Sequence, residues 1–99
     1  MNSDNYPHVT VCIPAYNAAK TISRTIDSIL TQDYPNYDVL VSDNFSSDDT
    51  FRIVESYKER CVCCFLNPDQ KTWNASENFN HALSLASGPL IALYHADDL

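Results

Sequence analysis

The sequence predicts an α/β fold, a Rossmann-like open and mainly parallel sheet with helices on both faces. Two observations carry this. Four short apolar runs alternate with three segments whose apolar residues recur at helical spacing, in the order β-α-β-α-β-α-β. Turn or cap residues stand at nearly every junction. Such alternation calls for parallel strands joined by right-handed crossovers. With 99 residues, 44% of them apolar, the chain can pack one domain but not two. It contains no internal repeat, low-complexity tract or domain linker.

The first strand is read at His8–Ile13, a β-branched run stopped by Pro14. Ile22, Ile26, Ile29 and Leu30 then mark one face of a helix, which Tyr34-Pro35-Asn36 breaks. Tyr37–Ser42 is a second strand, ending at Asp43. Ser46 with Asp49 three residues on resembles a capping box, ahead of a helix lined by Phe51, Val54 and Tyr57. Cys61–Leu66 is a third strand, ended by Asn67-Pro68-Asp69. Asn74 and Glu77 cap a third helix with Phe79, Ala82, Leu83 and Ala86 on its apolar face, stopped by Gly88-Pro89. Leu90–Tyr94 is the fourth strand and runs into His95-Ala-Asp97-Asp98.

Composition removes several function classes. Six Lys and Arg against 13 Asp and Glu give a formal charge of -7. That balance disfavours nucleic-acid and anionic membrane surfaces, which need clustered cations. No apolar run approaches the roughly 18 residues of a membrane span, and no secretory signal is visible. Cys12, Cys61, Cys63 and Cys64 lack zinc-ligand spacing and read as small buried hydrophobes in a reducing compartment. Gly88 is the single glycine, so neither G-x-G-x-x-G nor G-x-x-x-x-G-K-[ST] can be written. Any nucleotide is therefore held without a glycine cradle.

In open parallel sheets, ligands bind beyond the carboxyl ends of the strands, at the switch in strand order. Three such ends are polar here: Pro14-Ala15-Tyr16-Asn17, Asp43-Asn44 and Asp97-Asp98. Tyr16 could equally be a packing aromatic, and Asp43-Asn44 an ordinary turn. Asp97-Asp98 is harder to dismiss, because adjacent carboxylates repel and need an offset. A following helix N-terminus would supply one, and a hard divalent cation another. A cation between carboxylates and phosphates would also let an acidic protein hold a diphosphate and stabilise it as a leaving group.

These same segments carry a resemblance. Val9-Thr-Val-Cys-Ile-Pro14-Ala-Tyr16-Asn17 looks like the opening strand and P-x-Y-N signature of family 2 glycosyltransferases, which have the GT-A fold. The stretch from Ser28 through Ser42-Asp43-Asn-Phe45-Ser46-Ser-Asp-Asp49-Thr50 resembles their D-D-G-S-x-D-x-T segment. Asn78-Phe-Asn80-His-Ala-Leu83, Ala86-Ser-Gly88 and Tyr94-His95-Ala-Asp97-Asp98-Leu99 are similar to a subgroup reading N-W-N-R-A-L, A-x-G and L-H-Q-D-D-L. The chain departs from the pattern at Ser42 and Phe45, which replace an Asp and a Gly, and at Phe79 and His81, where a basic residue is common.

The resemblance implies an inverting transfer from a nucleotide-diphospho-sugar, in particular a UDP-sugar, to a saccharide or glycoconjugate acceptor. It assigns nucleotide binding to Pro14, Ala15, Tyr16, Asn17, Asp43 and Asp97, and Mn²⁺ or Mg²⁺ ligation to Asp98. It makes residues 1–99 the donor-binding part of a GT-A domain, with the acceptor site and a carboxylate base downstream of Leu99. On this reading the 99 residues bind donor without turning it over, in the cytoplasm, with the inner membrane face reached only through other parts. Exposed sheet edges would favour homo-oligomers. The competing reading is a non-catalytic nucleotide-binding module. A nucleotidyltransferase ranks lower, since the first loop holds only Lys20 and no glycine. A receiver-like domain ranks lower too, since Tyr16-Asn17 stand where it needs acids.

Overall fold

The computed structural model describes residues 6–60, 62–69, 71–86, 89–94 and 96. The elements are β1 (Val9–Ala15), α1 (Ile22–Leu30), β2 (Tyr37–Asp43), α2 (Thr50–Glu55), a 3-10 turn (Lys58–Arg60), β3 (Val62–Leu66), α3 (Ala75–Leu85) and β4 (Leu90–Leu93). The four strands form one parallel sheet in the order β3-β2-β1-β4. The chain moves outward from β1 to β3, then returns across the sheet to place β4 on the other side of β1. The switch in strand order therefore lies between β1 and β4, and the loops after these strands flank it.

The predicted class holds, with helices on both faces. On one face α1 and α2 bury Ile22, Ile26, Ile29 and Val54 against Val11, Ile13, Val39, Val41 and Val62. Each isoleucine of that stripe contributes on the order of 2 kcal/mol by leaving water. On the other face α3 lays Ala82, Leu85 and Ala86 on Cys12 and Leu40. The small residues there let the helix approach the sheet closely. At the sheet's margins Phe65 and Leu66 of β3 and Leu90, Ile91 and Leu93 of β4 stay exposed.

Local details depart from the sequence reading in four places. Pro14 does not stop β1, which runs on to Ala15 in register with Asp43. Residues of a parallel strand address their two neighbours alternately. Cys12 accepts from Tyr94 on the β4 side and Ala15 from Asn44 on the β2 side, so Pro14 faces the β4 side. The ladder with β4 ends at Cys12, so the missing N–H of Pro14 costs no bond. Second, Ser46 does not cap α2; the N-cap position is Asp49, whose side chain makes no capping hydrogen bond and pairs with Arg52 instead. Third, α2 ends at Glu55, short of Tyr57. Fourth, of the described cysteines only Cys12 is buried, and Cys63 is exposed. The capping box predicted for α3 is present: Glu77 N–H donates to Asn74 Oδ1 at 2.8 Å and Asn74 N–H to Glu77 Oε1 at 2.9 Å.

The amino end of the sheet is fastened by His8. Asn36 Nδ2 donates to the Tyr6 carbonyl, which turns Asn36 Oδ1 toward His8 Nδ1 at 2.8 Å. His8 Nε2 lies 2.8 Å from Asp38 Oδ1. Both ring nitrogens thus face acceptors, an arrangement that favours the doubly protonated ring. The Asn36 and then the Asp38 hydrogen bonds hold its pKa above the ordinary value, against a smaller opposing effect of burial. A histidine pKa raised by folding stabilises the native state fully below about pH 6.5 and loses that contribution as pH rises through the folded value. Urea midpoints at pH 6 and pH 8 should therefore fall further with rising pH in the wild type than in His8→Phe. Equal pH dependence in the two would contradict the charged state.

Candidate functional site

Beyond the strand ends, the β1–α1 and β2–α2 loops are bonded to each other. Asn17 takes a positive φ of 48°, which asparagine tolerates better than most residues. This turns three successive amides toward the other loop. Asn17 N–H donates to Ser46 Oγ at 2.9 Å, Ala18 N–H to Thr50 Oγ1 at 2.8 Å, and Ala19 N–H to Asp48 Oδ2 at 3.1 Å. In return Asn17 Oδ1 accepts from Ser47 N–H at 2.8 Å. Asp48 Oδ1 accepts from Thr50 N–H at 3.0 Å and from the Thr50 hydroxyl at 2.5 Å. Burial pushes the Asp48 carboxyl up, but the bonds from Thr50 and Ala19 together outweigh it and hold it below the usual carboxylate range. Amides that a phosphate cradle would offer to a ligand are already used within the protein.

Asp43 sits beneath this junction at the end of β2 and is fully buried. Its Oδ1 accepts from the Ser46 hydroxyl, while Oδ2 is buried without a partner among the described residues. Burial pushes the carboxyl above its ordinary pKa, the Ser46 bonds oppose this, and the charge of Asp48 adds to it. An unpaired buried oxygen of this kind is costly unless something donates to it.

Two clefts open at the strand ends, and Pro14 and Tyr16 border both. One, about 580 Å³, lies on the α3 side and is lined among others by Ala15, Asn44, Trp73, Asn78 and Phe79. Its size falls within the range of small-molecule sites. The other, about 510 Å³, lies at the switch in strand order and is lined by Asn17, Ala18, Lys20, Thr21, Asp48 and Ala96. Ala96 is held there by its carbonyl, which accepts from Thr25 Oγ1 at 2.8 Å. Tyr16 is 52% exposed, so its ring is open to a ligand.

The loops after β1, β2 and β4 thus converge as the sequence predicts. Pro14, Ala15, Tyr16 and Asn17 border the clefts, and Asp43 lies beneath them, lining neither. Asp97, Asp98 and His95 lie outside the described residues. Among the described residues no group of three or more His, Cys, Asp or Glu is placed to hold a metal. Asp48, which lines the same cleft as Ala96, offers the oxygen chemistry a hard cation takes, and in the sequence Ala96 is followed by Asp97 and Asp98.

Sequence reasoning overlooked Asn67, Trp73 and the polar side of α3. Asn67 follows β3 directly, and applying the strand-end rule to β3 would have found it. Ser42 gives its proton to Asn78 Oδ1 at 2.7 Å and lies 3.1 Å from His81 Nδ1, so that nitrogen carries the hydrogen. Ser42, Asn78 and His81, read in the sequence only as a strand end and parts of a family-like segment, therefore also brace the cleft that Asn78 lines.

Residues 10–99 match the profile of the family described as Glycosyl transferase family 2. The chain belongs to that family. It is 37% identical over 91% of its length to UDP-Glc:alpha-D-GlcNAc-diphosphoundecaprenol beta-1,3-glucosyltransferase WfaP of Escherichia coli, covering 35% of that protein. The chain thus spans about a third of the length of the curated relatives it matches. Staphylococcus aureus TarS 1-349, solved in complex with UDP-GlcNAc, superposes with a TM-score of 0.80 at 28% identity, over 91% of this chain and 26% of that one. Mannosyltransferase PcManGT from Pyrobaculum calidifontis, in complex with GDP-Man and Mn²⁺, gives 0.82 at 33% identity, over 94% and 28%. The fold is that of GT-A glycosyltransferases.

The state of Asp43 has a measurable consequence. A carboxyl whose pKa is raised by folding favours the native state below its unfolded value, about 3.9, and loses that contribution as pH rises through the folded value. Asp43→Asn keeps an acceptor for Ser46 and removes the buried ionisable oxygen. Its urea midpoint should exceed that of the wild type at pH 7, and the gain should shrink as pH falls toward 4. A lower midpoint at pH 7 would show that Asp43 is stabilising as a charge.

Proposed function

We propose that residues 1–99 are the donor-binding part of an inverting glycosyltransferase that uses a UDP-sugar and builds a polysaccharide or glycoconjugate. The observation that carries this is the buried, half-satisfied carboxylate of Asp43 beneath two clefts that share the exposed ring of Tyr16. Family membership and the UDP-Glc and UDP-GlcNAc named for its relatives support the donor class.

In this reading Pro14, Ala15, Tyr16 and Asn17 seat the nucleoside. Asp43, whose Oδ2 is left without a partner among the described residues, accepts the N–H of the base. Asp97 meets the ribose or diphosphate, and Asp98 holds Mn²⁺ or Mg²⁺; the Mn²⁺ of the mannosyltransferase complex supports a metal. When bound, the cation supplies Lewis-acid stabilisation of the diphosphate leaving group. The chain's own residues orient the nucleotide and exclude water beneath it. The proposal for residues 1–99 is confined to donor binding.

Among the described residues no helix is long and apolar enough to cross a membrane. The diphosphoundecaprenol acceptors named for the relatives support a proposed site of action in the cytoplasm, at the inner membrane face. The exposed apolar residues of β3 and β4 supply a surface for self-association or for further chain.

Calorimetric titration with UDP tests this reading. Binding should require Mn²⁺ or Mg²⁺ and be lost in Asp98→Ala. Asp43→Asn, which offers an N–H where the base also has one, should weaken binding at least about tenfold, roughly 1.4 kcal/mol. Equal affinity with and without metal would remove the role of Asp98. Absence of UDP binding in all conditions would remove the donor assignment.

A further inference from the structure

Trp73 lies in the loop between β3 and α3 and is held unusually firmly for a loop residue. The side chain of Asn44 bonds both ends of its peptide: Trp73 N–H donates to Asn44 Oδ1 at 2.7 Å, and Asn44 Nδ2 donates to the Trp73 carbonyl at 2.8 Å. Asn44 thereby does for Trp73 what a neighbouring strand would do. Asn67 Nδ2 adds bonds to Asn44 Oδ1 at 3.1 Å and to the Lys71 carbonyl at 2.9 Å. Both asparagines are buried, at 5% and 2% exposure. Buried amides with satisfied bonds fix a geometry more than they add stability.

The indole itself is positioned at two further points. Its Nε1–H donates to Asp69 Oδ2 at 2.7 Å, and its ring lies 4.8 Å from that of His81, tilted by 59°. Trp73 remains half-buried and forms part of the wall of the 580 Å³ cleft that Tyr16 also borders. The other residues of that wall include Asn44, Asn78 and Phe79. A cleft with aromatic rings and amide groups, and no charged side chain among its described lining, suits a flat, neutral heterocycle. Stacking on an aromatic side chain contributes roughly 1–3 kcal/mol per base. A fixed ring keeps more of that, because little freedom is lost on binding.

We propose that Trp73 is a stacking residue for the nucleobase of the donor, held in place by Asn44 and Asn67, and that the base occupies the α3-side cleft while the diphosphate runs toward Ala96. The proposal rests on the donor reading above and adds a binding residue to it. Asn44 and Asn67 act as positioning residues, since they touch the Trp73 loop.

Trp73 is the single tryptophan of the chain, so its emission reports on this cleft alone. Uridine and UDP should quench it to a similar limiting extent, UDP at lower concentration, while pyrophosphate should leave it unchanged. By calorimetry with Mn²⁺, Trp73→Ala should lose at least tenfold in UDP affinity and Trp73→Phe should recover most of it. Asn44→Ala should weaken both uridine and UDP by the same factor, as a positioning role requires. UDP binding at full affinity with unchanged emission, or with Trp73→Ala as good as wild type, would overturn the proposal and leave the donor reading intact. A folded protein that binds no UDP at all would overturn both.

Discussion

The bonds between the β1–α1 and β2–α2 loops are the constraint on which the site depends. Amides of residues 17, 18 and 19 donate to Ser46, Thr50 and Asp48. A glycine-rich loop would leave such amides pointing at a phosphate. Here they hold two strand ends together, and Asn17 enters the left-handed region to make that geometry. The junction covers Asp43 and leaves no free amide at residues 17, 18 and 19 for a phosphate. In the proposed donor reading a cation on the carboxylates that follow Ala96 in sequence takes that part.

The two faces of the sheet divide the work. The α1 and α2 face carries the large aliphatic core and so fixes the sheet. The α3 face has a thin apolar contact of small residues, and polar bonds fill the remainder: Ser42 to Asn78, Asn78 Nδ2 to the Ala15 carbonyl at 3.4 Å, and Asn44 to Trp73. Apolar packing tolerates sliding, whereas these bonds have one satisfied arrangement. The cleft wall is thus specified by hydrogen bonds where the core is specified by volume. Burial pushes the Cys64 thiol up to about 12, which disfavours the thiolate.

Much of this was legible in the sequence because it depends on period and position. The isoleucines at 22, 26 and 29 mark α1 by spacing alone, and Asn74 with Glu77 marks the start of α3. Strand-end polarity brought Tyr16, Asn17 and Asp43 to one end of the sheet. What local pattern cannot express is partnership across the chain. Ser46 has the spacing of a helix cap, yet its hydroxyl donates back to Asp43 and accepts from Asn17, 29 residues earlier. Pro14 reads as a strand terminus, yet the short β4 leaves that position without a partner to lose. Trp73 gave no signal because what fixes its position is Asn44, which lies 29 residues earlier.

The central claim is that this fold receives a nucleotide with its first-loop amides already spent. Residue-resolved hydrogen exchange of amides 17, 18 and 19, with and without UDP and Mn²⁺, tests it directly. All three should be protected in the free protein and change little on binding. Rapid exchange in the free protein, followed by strong protection when UDP is added, would show that these amides hold phosphate after all.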